Sequence, residues 1–264
     1  MDTLQAVILG IVQGLTEFLP VSSSGHLQLA KELLDVDIAE NLTFDITLHA
    51  ATVLSTIVVL WSEIRRLVVG VFSRKFNEEQ AMVLKIIVSM IPIGIVGLLL
   101  RDKIDEMLSS PYIMIIVGAM LLLTAALLAF AYYAKPRIKE RISYRDAFII
   151  GVAQAAASMP GLSRSGTTIA TGLLLRNKRS SVATFSFLMV LAPILGEMLL
   201  QIVGGEFSAA DIDTTALAAG FAASFIVGCI ACKFMIEIVK RGKLIWFAAY
   251  CAAVGATAIL SYIF

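Results

Sequence analysis

Charge is scarce in this sequence: Asp, Glu, Lys and Arg make up 16% of 264 residues, where a soluble domain carries about a quarter. Hydrophobic residues make up 59%, more than one aqueous core hides, so the chain needs lipid as part of its solvent. Net charge is also small, +1 at neutral pH, which excludes the basic face of a nucleic-acid-binding protein. Cysteine is rare. Cys229, Cys232 and Cys251 all lie inside apolar runs. The CxxC of Cys229 and Cys232 puts two small side chains on one helix face, which packing explains better than redox or metal chemistry. A cleavable leader is not evident either: the first residues lack a basic segment and run into QGLTEFLP, not a small-residue cleavage site.

Long apolar runs are what the chain has in abundance. Six are long enough to cross a bilayer as helix, which takes about 20 residues. They run roughly from Leu42 to Trp61, Ala81 to Leu100, Tyr112 to Ala134, Ser181 to Val203, Thr214 to Val239 and Leu244 to Phe264. Two further segments are interrupted. Leu4 to Leu19 breaks at Pro20 and VSSSGH before a short piece ending near Leu34, and Asp146 to Met159 breaks at Pro160 and Gly161 before Thr167 to Leu175. Each reads as a re-entrant hairpin, since irregular backbone at membrane depth survives only where it lines a cavity or is buried in protein. The expected fold is all-α: a polytopic membrane protein with six transmembrane helices and two re-entrant helical hairpins.

The two hairpins resemble each other. LGIVQGLTEFLPVSSSGH aligns with IGVAQAAASMPGLSRSGT, which places Gln13 on Gln154, Ser22 on Ser163, Ser24 on Ser165 and Gly25 on Gly166. Three spans follow each hairpin, so residues 1–264 form a single membrane domain of two halves, about 1–134 and 140–264. An odd number of crossings per half inverts the second half relative to the first. Inverted repeats with broken helices at matching positions point to a binding site near the midplane.

Charge placement supports this topology. The side that the first hairpin enters (side X) also holds the segments around 31–41, 101–110 and 204–213. These carry only Lys31, Arg101 and Lys103 among acids such as Asp35, Asp37, Glu40, Asp105, Glu206 and Asp211. Side Y holds Arg65, Arg66, Arg74, Lys75, Lys135, Arg137, Lys139, Arg141, Arg145, Arg176, Lys178, Arg179, Lys240, Arg241 and Lys243. By the positive-inside rule Y is cytoplasmic and both termini lie outside the cell membrane. The string RRLVVGVFSRKFNEEQ reads as a solvated connection on that side, with part of it on anionic headgroups as the other option.

An ionisable side chain at membrane depth costs about 2.5–3.5 kcal/mol on insertion scales, so each needs a reason. Glu17, His26, Arg164 and Glu197 stand at such depth, and His49 lies near the outer third of the first span. Each hairpin restarts its helix at a Ser/Gly-rich string, and helix N-termini hold phosphate through free N–H groups and partial positive charge. Ser22, Ser24, Gly25, Ser163, Ser165, Gly166 and Thr168 are therefore candidate phosphate-binding positions, and Arg164 adds a guanidinium fork that fits phosphate oxygens. Helix capping accounts for some of these serines, but not for a buried arginine. Glu17 has three readings: ligand of a divalent cation beside phosphate, orienter of water, or structural partner of Arg164. Gln13, one turn earlier, is as readily a packing residue as a metal ligand. Ser23 and His26 are candidates to act on one phosphorus, either as nucleophile with the other assisting; His26 bonded to backbone is the plainer alternative. His49, Gln154 and Glu197 are weaker cavity candidates.

QGLTEFLPVSSSGH and PGLSRSGTT resemble the two signature strings of BacA-type undecaprenyl-pyrophosphate phosphatases, a family named for bacitracin resistance. The segment from Phe44 to Trp61 and the string FSFLMVLAPILGE are similar to that family too. The resemblance implies a membrane enzyme that hydrolyses undecaprenyl or another polyprenyl pyrophosphate to the monophosphate and inorganic phosphate. That reaction recycles the lipid carrier of cell-wall synthesis. It implies divalent-cation dependence, Mg2+ or Ca2+ being the candidates, and an active site open to the outer face. Position by position, the acidic motif falls on Gln13 and Glu17, the Ser and His on Ser23 and His26, and the arginine on Arg164; many members carry glutamate at Gln13. The rival reading is a secondary transporter or polyprenyl-phosphate flippase using the same phosphate clamp. Membrane lipids surround either, and the small residues on the spans suit a homodimer as well as internal packing.

Overall fold

In a computed structural model, residues 1–36, 42–100, 103–104, 107, 110, 112–134, 139–204 and 213–263 are described. Asp37, Glu40, Arg101, Asp105, Lys135, Arg137, Glu206 and Asp211, which entered the charge argument, lie outside the described residues. The described chain is all-helical apart from an isolated bridge between Lys139 and Asn177.

The first hairpin is built from α1 (Thr3–Thr16) and α2 (Ser23–Leu33). Asp2 starts α1 with a reciprocal cap: its carboxylate accepts from Gln5 N at 2.7 Å while Gln5 Oε1 accepts from Asp2 N at 2.8 Å. The second hairpin is α7 (Tyr144–Ala156) and α8 (Arg164–Leu174). Between them lie α3 (Leu42–Val59), α4 (Trp61–Val71), α5 (Glu78–Leu99) and α6 (Ile113–Tyr132); after them come α9 (Arg179–Met189), α10 (Leu191–Val203), α11 (Thr214–Arg241) and α12 (Ile245–Ile263). The hairpin helices have 14, 11, 13 and 11 residues, each short of a bilayer crossing. Helices α5, α6, α11 and α12 and the combined α9–α10 are long and apolar enough to cross, and the bent pair α3–α4 passes the same test only when taken together.

Two spans differ in detail from the sequence reading. The first ends at Leu60, where the chain bends by 77° into α4. Glu63, Arg65 and Arg66 follow Trp61, and such a cluster does not continue into hydrocarbon. RRLVVGV, expected within a solvated connection, is therefore helical. It is tied to the start of α5 by Asn77 Nδ2 donating to Gly70 O at 2.8 Å and Gln80 Nε2 to Val71 O at 2.9 Å. The fourth span is interrupted at Val190, one turn before Pro193, because proline removes a helical hydrogen bond and crowds the carbonyl four residues back.

The inverted repeat is visible in the packing. Helix α1 lies along α11, the middle span of the other half, and α7 lies along α5, the middle span of the first. Exchanging the halves maps one contact onto the other, and the last spans α6 and α12 pack together. Both crossings use a glycine. A Cβ at Gly10 would collide with the Gly220 carbonyl oxygen, and one at Gly151 with the Ser89 carbonyl oxygen. Small residues bring helix backbones this close, and in lipid close packing is a main source of association. Side-Y ion pairs join neighbouring segments: Lys139 to Asp146 at 2.8 Å, Lys178 to Glu140 at 3.0 Å and Arg141 to Glu78 at 2.6 Å.

The hairpin turns meet inside this frame. Ser165 Oγ donates to Leu19 O at 3.2 Å, Cys251 Sγ reaches Pro20 O at 3.3 Å, and Ser163 N donates to Thr124 Oγ1 at 3.2 Å. Gly161 has φ +88 and its missing Cβ would lie 2.6 Å from Val117 Cα. Gly161→Ala is thus expected to lower stability by about 1–3 kcal/mol through backbone strain, with the Val117 contact adding to it. Thermal unfolding of the purified protein checks this; an unchanged midpoint contradicts the tight turn.

Candidate active site

Glu17 directly follows α1 and is the point on which the site converges. Its side chain is only 7% exposed. Oε2 accepts from Ser23 Oγ at 2.9 Å and from Gln13 Nε2 at 3.0 Å, and lies 3.8 Å from His49 Nδ1. Oε1 lies 4.0 Å from Arg164 Nη2. Ser23 is the first residue of α2 and Arg164 the first of α8, so this carboxylate sits between the starts of both re-entrant helices. Partial burial strengthens each attraction relative to water.

The cap geometries of the two turns are related but unequal. Ser163 Oγ accepts from Gly166 N at 3.1 Å, an ordinary cap, whereas Ser22 has no side-chain cap bond and sits at φ 70, a conformation that disfavours a side chain. Ser22 Oγ lies 3.4 Å from Ser24 Oγ, and Ser163 Oγ lies 3.4 Å from Ser165 Oγ. Gly25 and Gly166 are buried; a Cβ at Gly166 would stand 3.1 Å from Pro20 Cβ, within the meeting point of the turns. Thr168 donates its hydroxyl to Arg164 O at 3.0 Å.

A narrow recess, about 380 Å³ only when its open mouth is counted, lies against this cluster, lined by Glu17, Arg164, Ser165 and Thr168 from the hairpins. Thr52, Thr56, Ser186, Phe18, Phe187, Val190 and Ile194 complete the wall. The lining thus combines an acid–guanidinium pair and hydroxyls with apolar side chains, which suits a polar headgroup carrying a hydrocarbon tail.

Several sequence candidates come together here: Gln13, Glu17, Ser23, His49, Arg164, Ser165 and Thr168. His49, a weak candidate from sequence, lies 3.2 Å from Gln13 Nε2 and belongs to the cluster. His26 differs from expectation. Its Nδ1 lies 2.9 Å from Ser22 O and its Nε2 2.7 Å from Tyr250 Oη, and it is not among the residues lining the recess. The α2 helix turns Ser23 toward Glu17 and, three positions on, turns His26 toward α12. Gln154 is buried, and neither of its amide atoms has a hydrogen-bond partner among the described residues. Glu197 is exposed on α10, one turn beyond Ile194, and outside the recess. Thr52, Thr56, Ser186 and Tyr250 were missed in the sequence. A signal existed for the first two, because His49, Thr52 and Thr56 recur at helical spacing in an apolar span.

Whether a divalent cation suits these residues can be judged from their donors. Gln13 Oε1 is buried and accepts no hydrogen bond among the described residues, an unclaimed oxygen next to Glu17. Among the described residues no group of three or more His, Cys, Asp or Glu forms a closed metal cage. One carboxylate and one amide oxygen fit a hard cation that takes its remaining ligands from phosphate oxygens and water.

These features define a polytopic helical membrane protein whose two hairpins meet around Glu17 and Arg164. The chain matches the family described as "Bacitracin resistance protein BacA" over residues 6–257, and it belongs to that family. It is similar to proteins named undecaprenyl-diphosphatase from Parabacteroides distasonis, 58% identical over 262 residues, and Bacteroides fragilis, 56% over 263; each alignment covers 98% of both chains. A protein of the same name from Bacteroides thetaiotaomicron is 54% identical over 264 residues, covering 99% of both.

Proposed function

We propose that this protein hydrolyses undecaprenyl diphosphate to the monophosphate and inorganic phosphate, recycling the lipid carrier of cell-wall synthesis. The observation that carries the mechanism is the 2.9 Å hydrogen bond from Ser23 Oγ to Glu17 Oε2, with Arg164 on the other carboxylate oxygen. A hydroxyl bonded to a carboxylate is a nucleophile with its base in place.

The prenyl tail stays in lipid while the diphosphate enters the recess. Arg164, the Ser165 and Thr168 hydroxyls and the starts of α2 and α8 hold its charge, which spreads over the phosphoryl oxygens as transfer proceeds. Ser23 Oγ attacks the terminal phosphorus and its proton passes to Glu17. The bond from that phosphorus to the bridging oxygen breaks, and its electron pair leaves with the lipid monophosphate. Water then attacks the phosphoserine. His26 Nε2 takes the water's proton and passes it to the departing phosphate, while Ser23 Oγ recovers its own from Glu17.

A phosphate beside the Glu17 carboxylate sets like charges together, and a divalent cation held by Glu17 and Gln13 offsets that repulsion. When bound, such an ion supplies Lewis-acid neutralisation of phosphoryl charge. The site opens outward, with side Y cytoplasmic in the cell membrane; single cysteines placed at Met1 and at Lys75 test this. Impermeant thiol reagent added to intact cells should label the first and spare the second, and the reverse pattern overturns the orientation.

Phosphate release by purified protein tests the assignment. Glu17→Ala and Arg164→Ala are each expected to lower kcat/KM by at least about 100-fold. Wild type quenched early should carry acid-stable phosphate on Ser23, and Ser23→Ala none; full turnover in these variants would sink the mechanism. Gln13→Glu adds a negative ligand and is expected to lower the cation concentration for half-maximal activity by roughly tenfold. A metal titration that does not move removes Gln13 from the cation site.

A further inference from the structure

Tyr250 lies on α12, far from the hairpins in sequence and outside both signature strings. Its phenol oxygen is 2.7 Å from His26 Nε2, and the two rings stack with centroids 5.7 Å apart at 21°. The opposite ring nitrogen, Nδ1, lies 2.9 Å from the Ser22 carbonyl oxygen. A backbone carbonyl only accepts, so Nδ1 must carry the proton. Neutral imidazole has one N–H, so Nε2 is then the basic nitrogen and accepts from the Tyr250 hydroxyl. Both ring nitrogens are thereby assigned, and rotation of the ring would break both bonds.

The next residue on α12 serves the same turn: Cys251 Sγ contacts Pro20 O at 3.3 Å. Two consecutive side chains of the last span thus grip the turn that presents Ser23. Tyr250 is 45% exposed, so filling a core is not its main task. Leucine or phenylalanine would serve there equally well unless the hydroxyl has work to do.

We propose that Tyr250 is a positioning residue for His26: with the Ser22 carbonyl fixing Nδ1–H, the Tyr250 hydroxyl donates to the unprotonated Nε2 and holds the ring until the hydrolytic water replaces it. Its value to the reaction rests on the proton-accepting role given to His26 above; its hydrogen bond to Nε2 does not. Ser22 supplies the other half of the device. The left-handed backbone at that residue, with φ 70, is part of the turn from which its carbonyl meets Nδ1.

The sequence contains two histidines, His26 and His49, so nitrogen NMR of histidine-labelled full-length protein reads each one. Wild type should show His26 as a single Nδ1–H tautomer. Tyr250→Phe keeps the stacked ring and removes only the hydroxyl; His26 should stay the Nδ1–H tautomer while its Nε2 signal moves to that of an unbonded imidazole nitrogen, and the His49 signals should stay in place, which verifies folding. Its kcat should fall about fivefold, the loss of one net hydrogen bond, with KM within about twofold. In the His26→Gln background the same change should cost nothing further, since the hydroxyl acts through the imidazole. An unchanged His26 Nε2 signal, an unchanged kcat, or a loss that adds in full to that of His26→Gln overturns the proposal. Should phosphate release itself be absent from wild type, the Nε2 signal still reports on the Tyr250 contact, so the two readings fail separately.

Discussion

A single carboxylate joins the two halves of this molecule. Glu17 accepts from the first residue of one re-entrant helix and faces the arginine that opens the other. Two helix starts and a guanidinium at one point build up positive potential that must be balanced. Glu17 provides that balance and also sets the condition for binding: a phosphorylated ligand must share the space with an existing negative charge. The cation-and-phosphate chemistry proposed for the site follows from this crowding. The unclaimed oxygen of Gln13 stands where it can help.

The frame that brings those helix starts together is backbone proximity. Each hairpin's first helix lies on a middle span of the opposite half, at a glycine whose Cβ would strike a carbonyl oxygen. In lipid the hydrophobic effect does not drive helices together, so close van der Waals packing and a few interhelical hydrogen bonds carry the association. Symmetry in packing does not impose symmetry in chemistry. Gln13 is bonded to Glu17, whereas its counterpart Gln154 is buried without a partner among the described residues. Counterparts of Glu17, Ser23 and His26 in the second hairpin are Ser158, Arg164 and Thr167. One half contributes the acid, the hydroxyl and the imidazole; the other contributes the cation.

The apolar wall of the recess gives that chemistry its lipid character. Phe18 and Phe187 meet as a tilted pair, ring centroids 5.9 Å apart, between the two halves, and Val190 and Ile194 continue the surface along the fourth span. The interruption at Val190 lies on this wall, so the helix break enforced by Pro193 also shapes the cavity. Relatives covering nearly the whole chain at 54–58% identity bear the undecaprenyl-diphosphatase name, in keeping with a site drawn from both hairpins and not from one local motif.

Hydropathy, chain breaks and charge placement are one-dimensional signals, and they were enough to determine membrane residence, the number of spans, the two hairpins and their inverted relationship. Arg164 and the paired Ser/Gly strings also marked the place where the two hairpins meet, because an arginine within an apolar hairpin has so few other justifications. Tertiary structure alone decided which way each side chain points. It brought His49, Thr52, Thr56 and Ser186 to the site, left Glu197 exposed, and turned His26 to Tyr250 on the last span. The physical reason is rotational: spacing along a helix says which residues share a face, but the partner that face meets is set by helices from the other half of the chain.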